Sequence, residues 1–155
     1  MFRELRRKDR ETSGDEAIRL LSEGEFGVLG TSDSDGYPYT TPLSYVYKDN
    51  KLYFHGAPEG HKLDNIKSNN KVSFCVVGNT KVLPEKFSTV YESVIVFGKA
   101  EVIQGPEKLA ALEALIGKYS SSFTKEGLEY INRAAEKTCV VRIDIERMTS
   151  KARGQ

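Results

Sequence analysis

Apolar residues follow two different periods along this chain, and the switches between them mark out its elements. The charged stretch Arg3 to Glu11 has no apolar stripe and reads as a solvated arm over residues 1–12, or as an arm reaching across a partner subunit. Ser13 followed by Glu16 has the form of a capping box. It opens a short helix with Ala17, Ile18 and Leu21 on its buried side and an end near Gly24. From Phe26 the period becomes two. Phe26 to Thr31 is a strand, Asp33-Ser34-Asp35-Gly36 is a turn, and Tyr37 to Tyr47 sets Tyr37, Tyr39, Leu43, Tyr45 and Tyr47 on one face. Asp49-Asn50 then turns the chain back through Leu52, Tyr53 and Phe54. Pro38 and Pro42 remove ladder donors, so the strand that carries them is an edge or a bulged strand.

Further on, His61 to Ser68 is a helix with Leu63 and Ile66 inward, ended by Asn69-Asn70, and Lys71 to Val77 is a strand. The longest strand runs from Ser88 to Ile103 and is apolar on both faces at Val94-Ile95-Val96-Phe97. Val90, Val94, Val96, Ala100 and Val102 are expected to line a core, which leaves Tyr91, Ile95 and Phe97 needing a second surface. Gly105-Pro106 starts a helix with Leu109, Leu112, Leu115, Ile116 and Tyr119 at three-four spacing, and a second helix carries Leu128 and Ile131. Cys139 to Ile145 alternates as a closing strand before a basic tail, 148–155, with Lys151 and Arg153. Six strands, hairpin links and no βαβ rhythm predict one mainly β domain over residues 1–155, an antiparallel barrel with helices outside.

Totals narrow the functional classes. With 155 residues there is enough chain for one sizeable core, and a formal charge of +1 gives no electrostatic case for nucleic acid or a membrane. No apolar run approaches a membrane span, and the charged N-terminal residues do not form a signal-peptide core, so a cytoplasmic location is expected. Cys75 and Cys139 lie in apolar runs without CxxC spacing and are expected to be buried thiols. Two histidines, no HExxH and no paired cysteines give a metal site no support, and no GxSxG marks a catalytic serine.

Three stretches could carry chemistry. His55-Gly56-Ala57-Pro58-Glu59-Gly60-His61-Lys62 leaves a strand, passes small residues and enters a helix. Amides at a helix start carry partial positive charge, glycines admit a ligand, and Lys62 with His61 adds charge. It is not a P-loop, and a plain strand-to-helix turn with a solvated lysine is the other reading. Tyr37-Pro38-Tyr39-Thr40-Thr41-Pro42-Leu43-Ser44 has backbone groups outside the ladder that could meet the polar edge of a planar ring. Alternatively it is a twisted edge strand with an exposed tyrosine face. In Tyr91-Glu92-Ser93, a buried Glu92 needs a partner, whereas a solvated strand start needs nothing.

In this order and spacing the chain resembles the pyridoxamine 5′-phosphate oxidase-related flavoproteins, and within them the 5-nitroimidazole resistance, nitroimidazole reductase-like branch. The carriers are Gly36-Tyr37-Pro38 with Pro42 and Tyr45, Leu52 to Ala57 with Gly60 to Ile66, and Tyr91-Glu92-Ser93-Val94 with Gly98-Lys99-Ala100. The resemblance implies a six-stranded, Greek-key split β-barrel working as a homodimer, with one FMN in each of two interfacial clefts. It implies that His61 and Lys62, with Gly60, hold the phosphate. His55, Gly56 and Ala57 meet the flavin, Tyr39, Thr40, Thr41, Pro42, Leu43 and Ser44 lie along the ring edge, and Ser93 sits near the ring. His61 stands where the oxidase has arginine, and the basic C-terminal residues that hold pyridoxal phosphate there are missing, which argues against vitamin B6 oxidation.

FMN would supply the redox chemistry, and the protein the orientation and the cleft for a small-molecule electron donor and acceptor. His55 or His61 could donate a proton near neutral pH, or simply contact the ligand. The rivals are a pyridoxine-phosphate oxidase, a deazaflavin-dependent reductase and a non-catalytic flavin store, and one barrel can host all of these chemistries.

Overall fold

The computed structural model describes residues 2–154. Helix α1 (Gly14–Glu23) starts where Ser13 accepts a hydrogen bond from the Glu16 amide. The Glu16 side chain does not return the bond but pairs with Arg19, so only half of the capping box forms. The buried face is Ala17, Leu20 and Leu21, an i, i+3, i+4 set. Ile18 falls off that stripe and is 37% exposed, contrary to the sequence expectation.

Eight strands form instead of six: β1 (Gly27–Ser32), β2 (Pro38–Leu43), β3 (Val46–Lys48), β4 (Lys51–Gly56), β5 (Lys71–Val77), β6 (Lys81–Leu83), β7 (Ser88–Ile103) and β8 (Cys139–Arg153). One added strand is β6, a short hairpin arm folded onto the start of β7. The other arises because the run from Tyr37 to Tyr47 breaks at Ser44-Tyr45, where two elements claim the same chain. The Tyr45 ring is fully buried and its hydroxyl donates to the Leu21 carbonyl at 2.5 Å, while the Lys118 ammonium donates to the Tyr45 carbonyl at 3.0 Å. The hairpin β3–β4 turns at Asp49 and Asn50, both with positive φ, as a two-residue turn that matches strand twist requires.

All pairings are antiparallel, in the order β2-β1-β5-β7-β8-β4-β3, so consecutive strands are not always neighbours and the sheet curls without closing. This is the split barrel, with β2 as a free edge. Its interior holds Leu29, Leu52, Phe54, Phe74, Val76, Val94, Val96, Val141 and Ile143, each worth about 1.5–3 kcal/mol of burial. A second layer lies on the other side of β4 and β8. There α3 (Gly105–Tyr119) and α4 (Thr124–Ala134) cover Val46, Tyr53, Ile103 and Val140 with Leu112, Leu115 and Ile131. Under that layer the buried side of β7 changes: Ile103 goes in and Val102 is exposed, the reverse of the simple alternation. Leu109 and Leu128 likewise face outward, at the rim of the helical layer.

Both chain ends are more structured than their composition suggests. The expected tail is strand, since β8 runs to Arg153 and pairs with β7 as far as Tyr91. The shift in register between Phe97 and Gly98 adds Glu146 to β8 as a bulge, and a side chain at Gly98 would collide with the Asp144 carbonyl. The expected solvated arm is docked: Glu11 bridges Lys151, the Thr12 amide bonds Ser150, and Phe2 stacks on Phe97 at 5.3 Å. The two cysteines are half-buried and free, not fully buried.

Candidate functional site

The loop after β4 and the helix α2 (His61–Ser68) build the first part of the site. Gly60 holds φ +148°, a conformation that side chains rarely adopt, and serves as N-cap without a capping side chain. Its carbonyl accepts from the Leu63 and Asp64 amides, so the amides of His61 and Lys62 find no backbone partner among the described residues. They point with the positive end of the helix dipole, and the Lys62 ammonium lies 3.7 Å from where a side chain on Gly56 would begin. No carboxylate pairs with Lys62 among the described residues. Leu63 and Ile66 anchor α2 in the barrel, and Asn65, buried, donates to Thr31 at 3.0 Å while Asn69 donates to Ser32 at 3.0 Å. Asn65 ties the middle of α2 to β1 and Asn69, the C-cap, ties its end; the sequence marked Asn69 only as the helix stop and did not single out Asn65. The only signal for Asn65 was its place beside the Leu63–Ile66 stripe.

Strand β2 supplies the second part. It stays in register with β1 through both prolines, which puts their missing N–H groups on the free edge and leaves carbonyls there unclaimed. Its residues divide by face. Tyr39, Thr41 and Leu43 share the side of Thr31 and Leu29, and the Tyr39 ring stacks on the His61 imidazole with centroids 4.0 Å apart. Thr41 Oγ1 is buried there with no hydrogen-bond partner. Thr40 and Pro42 face the outer side with Gly30 and Val28, and Ser44 is exposed just past the strand end. Leu43 packs against the barrel core.

The structure therefore brings Tyr39, Gly56, Gly60, His61 and Lys62 together at the barrel mouth, with Ala57 in the exposed loop between them. His55 does not join them. It alternates with Gly56 on β4 and pairs with Val140, on the side of Tyr53 and the helical layer, where desolvation pushes its pKa below the ordinary imidazole range. Ser93 is also apart within one chain. It lies five residues along β7 from Gly98, roughly 16 Å at strand rise, beside Thr12, Glu92 and Ser150. Glu92 has the partner it needed in Arg19, at 2.8 Å. Cys139 pairs with Gly56 beside the mouth; burial pushes its thiol up, against the opposing pull of Lys108, Lys62 and Lys67, so it is no ready nucleophile.

Among the described residues, no three His, Cys, Asp or Glu side chains converge as metal ligands would, and no helix is long and apolar enough to cross a membrane. A cavity of about 640 Å³ opens on the outer face of β2, β1, β5 and β7, with Thr40 at its edge. Lys71, Ser73, Phe97 and Lys99 line it; Phe97 was expected to need a second surface, while nothing in the local sequence marked Lys71 or Ser73.

Comparison with known proteins gives the site a context. No curated protein matches the chain. Among solved structures, a candidate 5-nitroimidazole antibiotic resistance protein from Bacteroides thetaiotaomicron superposes with a TM-score of 0.77 at 26% identity, over 90% of this chain and 83% of that one. A FAD-binding protein from Mesorhizobium loti gives 0.70 at 25% identity, over 94% and 98%. The FAD and heme binding protein from Mycobacterium smegmatis shares the fold, with 0.83 at 20% identity over 94% and 74%. Residues 13–152 match the family profile described as pyridoxamine 5′-phosphate oxidase, and on that match the chain belongs to the pyridoxamine 5′-phosphate oxidase family.

Proposed function

We propose that the chain is an FMN-binding oxidoreductase that reduces a small aromatic or nitro acceptor, in the manner of nitroimidazole reductase-like proteins, and acts as a homodimer. The observation that carries the reading is the cationic mouth: two amides and a Lys62 ammonium without partners among the described residues, beside glycines that leave room for an approaching anion such as a phosphate. The residues present also fit the rest of the cofactor. The free edge of β2 offers carbonyls to a ring's polar edge, and Thr41 Oγ1 is a buried polar atom that lacks a partner.

Bound FMN would supply the electron transfer. Lys62 and the amides of His61 and Lys62 neutralise and orient the phosphate. His61, held by its stack on Tyr39, is the imidazole placed to hold or release a proton at the mouth. His55 is a weaker choice for that role because it projects from the other face of β4. The dimer reading rests on the outer face of the β1–β5–β7 sheet, where Val28, Cys75 and Ile95 are incompletely covered and Phe97 remains 38% exposed under the Phe2 ring.

Protein purified from cells should be yellow and release FMN on denaturation. A colourless protein that fails to bind added FMN rejects the reading, and FAD in the supernatant corrects the cofactor. Light scattering should return twice the chain mass, and bleaching of the flavin by a reduced nicotinamide followed by reoxidation with a nitroaromatic tests turnover. Oxygen uptake with pyridoxine phosphate would instead support the oxidase reading.

A further inference from the structure

The outer-face cavity has a composition that a bare protein surface does not explain. Its floor is Gly30, where an added Cβ would sit 2.6 Å from Ser73 Oγ, so the floor is flat because no side chain fits. One wall is the Phe97 ring, backed by Phe2, and hydroxyls of Thr40 and Ser73 lie on the same row of the sheet. At one end Lys71 and Lys99 are direct cross-strand partners. Like charges so placed repel, and neither has a carboxylate at ion-pair distance among the described residues. Arg147, opposite Phe97 on the same face, keeps its Nε buried without a hydrogen-bond partner among the described residues. Glu146 is the one carboxylate lining the space among the described residues.

We propose that this cavity binds a planar aromatic ligand carrying a carboxylate, with the ring over Gly30 against Phe97 and the carboxylate between Lys71 and Lys99. A flat slot with an aromatic wall selects the ring, and two unpaired ammonium groups select the charge. The cavity lies on the outer side of β2, one strand's width, about 5 Å, from the free edge assigned to the flavin. Its identity as the electron acceptor's pocket therefore rests on the flavin reading, whereas the anion site itself does not. A second copy on this face would close the open side of the slot without supplying its cations.

Calorimetric titration of the full chain, with and without FMN, uses 4-nitrobenzoate and its neutral analogue 4-nitrobenzamide as probes. Wild type should bind the carboxylate about tenfold more tightly than the amide. The double variant Lys71→Met, Lys99→Met should lose that preference, and the double arginine variant should keep most of it. FMN affinity should be unchanged in both. Equal affinities in wild type, a preference that survives the methionine variant, or no binding of either probe because a second copy fills the slot, would each overturn the proposal. Competition between 4-nitrobenzoate and FMN would overturn it as well, since the cavity would then be the flavin bed. A protein that binds no FMN but still prefers the carboxylate would uphold the anion site while removing the flavin reading.

Discussion

Two charged clusters on this barrel are built on opposite principles. On β8, Arg142 is enclosed by carboxylates: Nε meets Asp144 at 3.1 Å, Nη1 meets Glu107 at 2.9 Å and Nη2 meets Glu101 at 2.8 Å, while the Tyr53 hydroxyl donates to Glu107 at 3.0 Å. Each guanidinium nitrogen there is answered by a carboxylate from within the chain. At the mouth, Lys62 and two helix-start amides have no such answer. The first arrangement ties β4, β7, β8 and α3 together; the second ties no elements together and leaves its groups open, as the proposed phosphate site requires. Satisfied charge near a fold's seams reads as structure, and unsatisfied charge at a helix start reads as a candidate binding site.

Removing the cation from each cluster separates the two roles. Lys62→Ala should weaken FMN binding by about 1.5–3 kcal/mol, a factor of about 10 to 150, and leave riboflavin affinity and thermal stability almost unchanged. Flavin-fluorescence titration of both ligands measures this, and equal losses would place Lys62 in the ring pocket or the fold. Arg142→Met should do the reverse, lowering stability by about 2 kcal/mol in urea unfolding with little change in FMN affinity, because three carboxylates lose their common partner. Burial alone would raise the pKa of Glu107, but Tyr53 and Arg142 outweigh it and hold its carboxyl below the usual range. Its contribution is therefore present above the unfolded pKa near 4.5 and lost as pH falls through the folded value, so wild type and Arg142→Met should converge in acid.

A half-buried lysine gives a smaller effect of opposite pH sense. Desolvation pushes Lys118 down to about 8 despite its position 3.9 Å from the Tyr45 ring centre. Between pH 8 and 10.5 the unfolded chain binds this proton and the folded one does not, so folding gains stability as pH rises. After allowance for solvent screening the gain is about 1 kcal/mol, read as the difference in unfolding curves between wild type and Lys118→Met across that range. The smallest effect is at His55. Its NMR titration midpoint should lie below 6.5, costing a few tenths of a kcal/mol as pH falls through that window, and a midpoint above 6.5 would show that it gains an acidic partner instead.

Much of this was legible along the chain. The Ser13 cap, the glycine-led start of α2 and the turn at Asp49-Asn50 each rest on contacts within a few residues, so local spacing was enough to find them, and the sixteen residues of β7 showed as one long apolar run although their partners are distant. The loop from Gly56 to Lys62 was recognisable as a glycine-bearing passage from strand to helix for the same reason. What no local pattern carried was which face of a strand meets which neighbour. That His55 turns away while Gly56 faces Lys62, that Thr40 and Tyr39 serve opposite sides of β2, and that the basic end of the chain is a strand against Tyr91 all depend on register between segments far apart in sequence. Side chains alternate with a period of two, so a strand's pattern names two faces but not the layer each will meet. Only the pairing of β4 with β8, and of β7 with both β5 and β8, decided that Lys71 and Lys99 would share one end of a cavity.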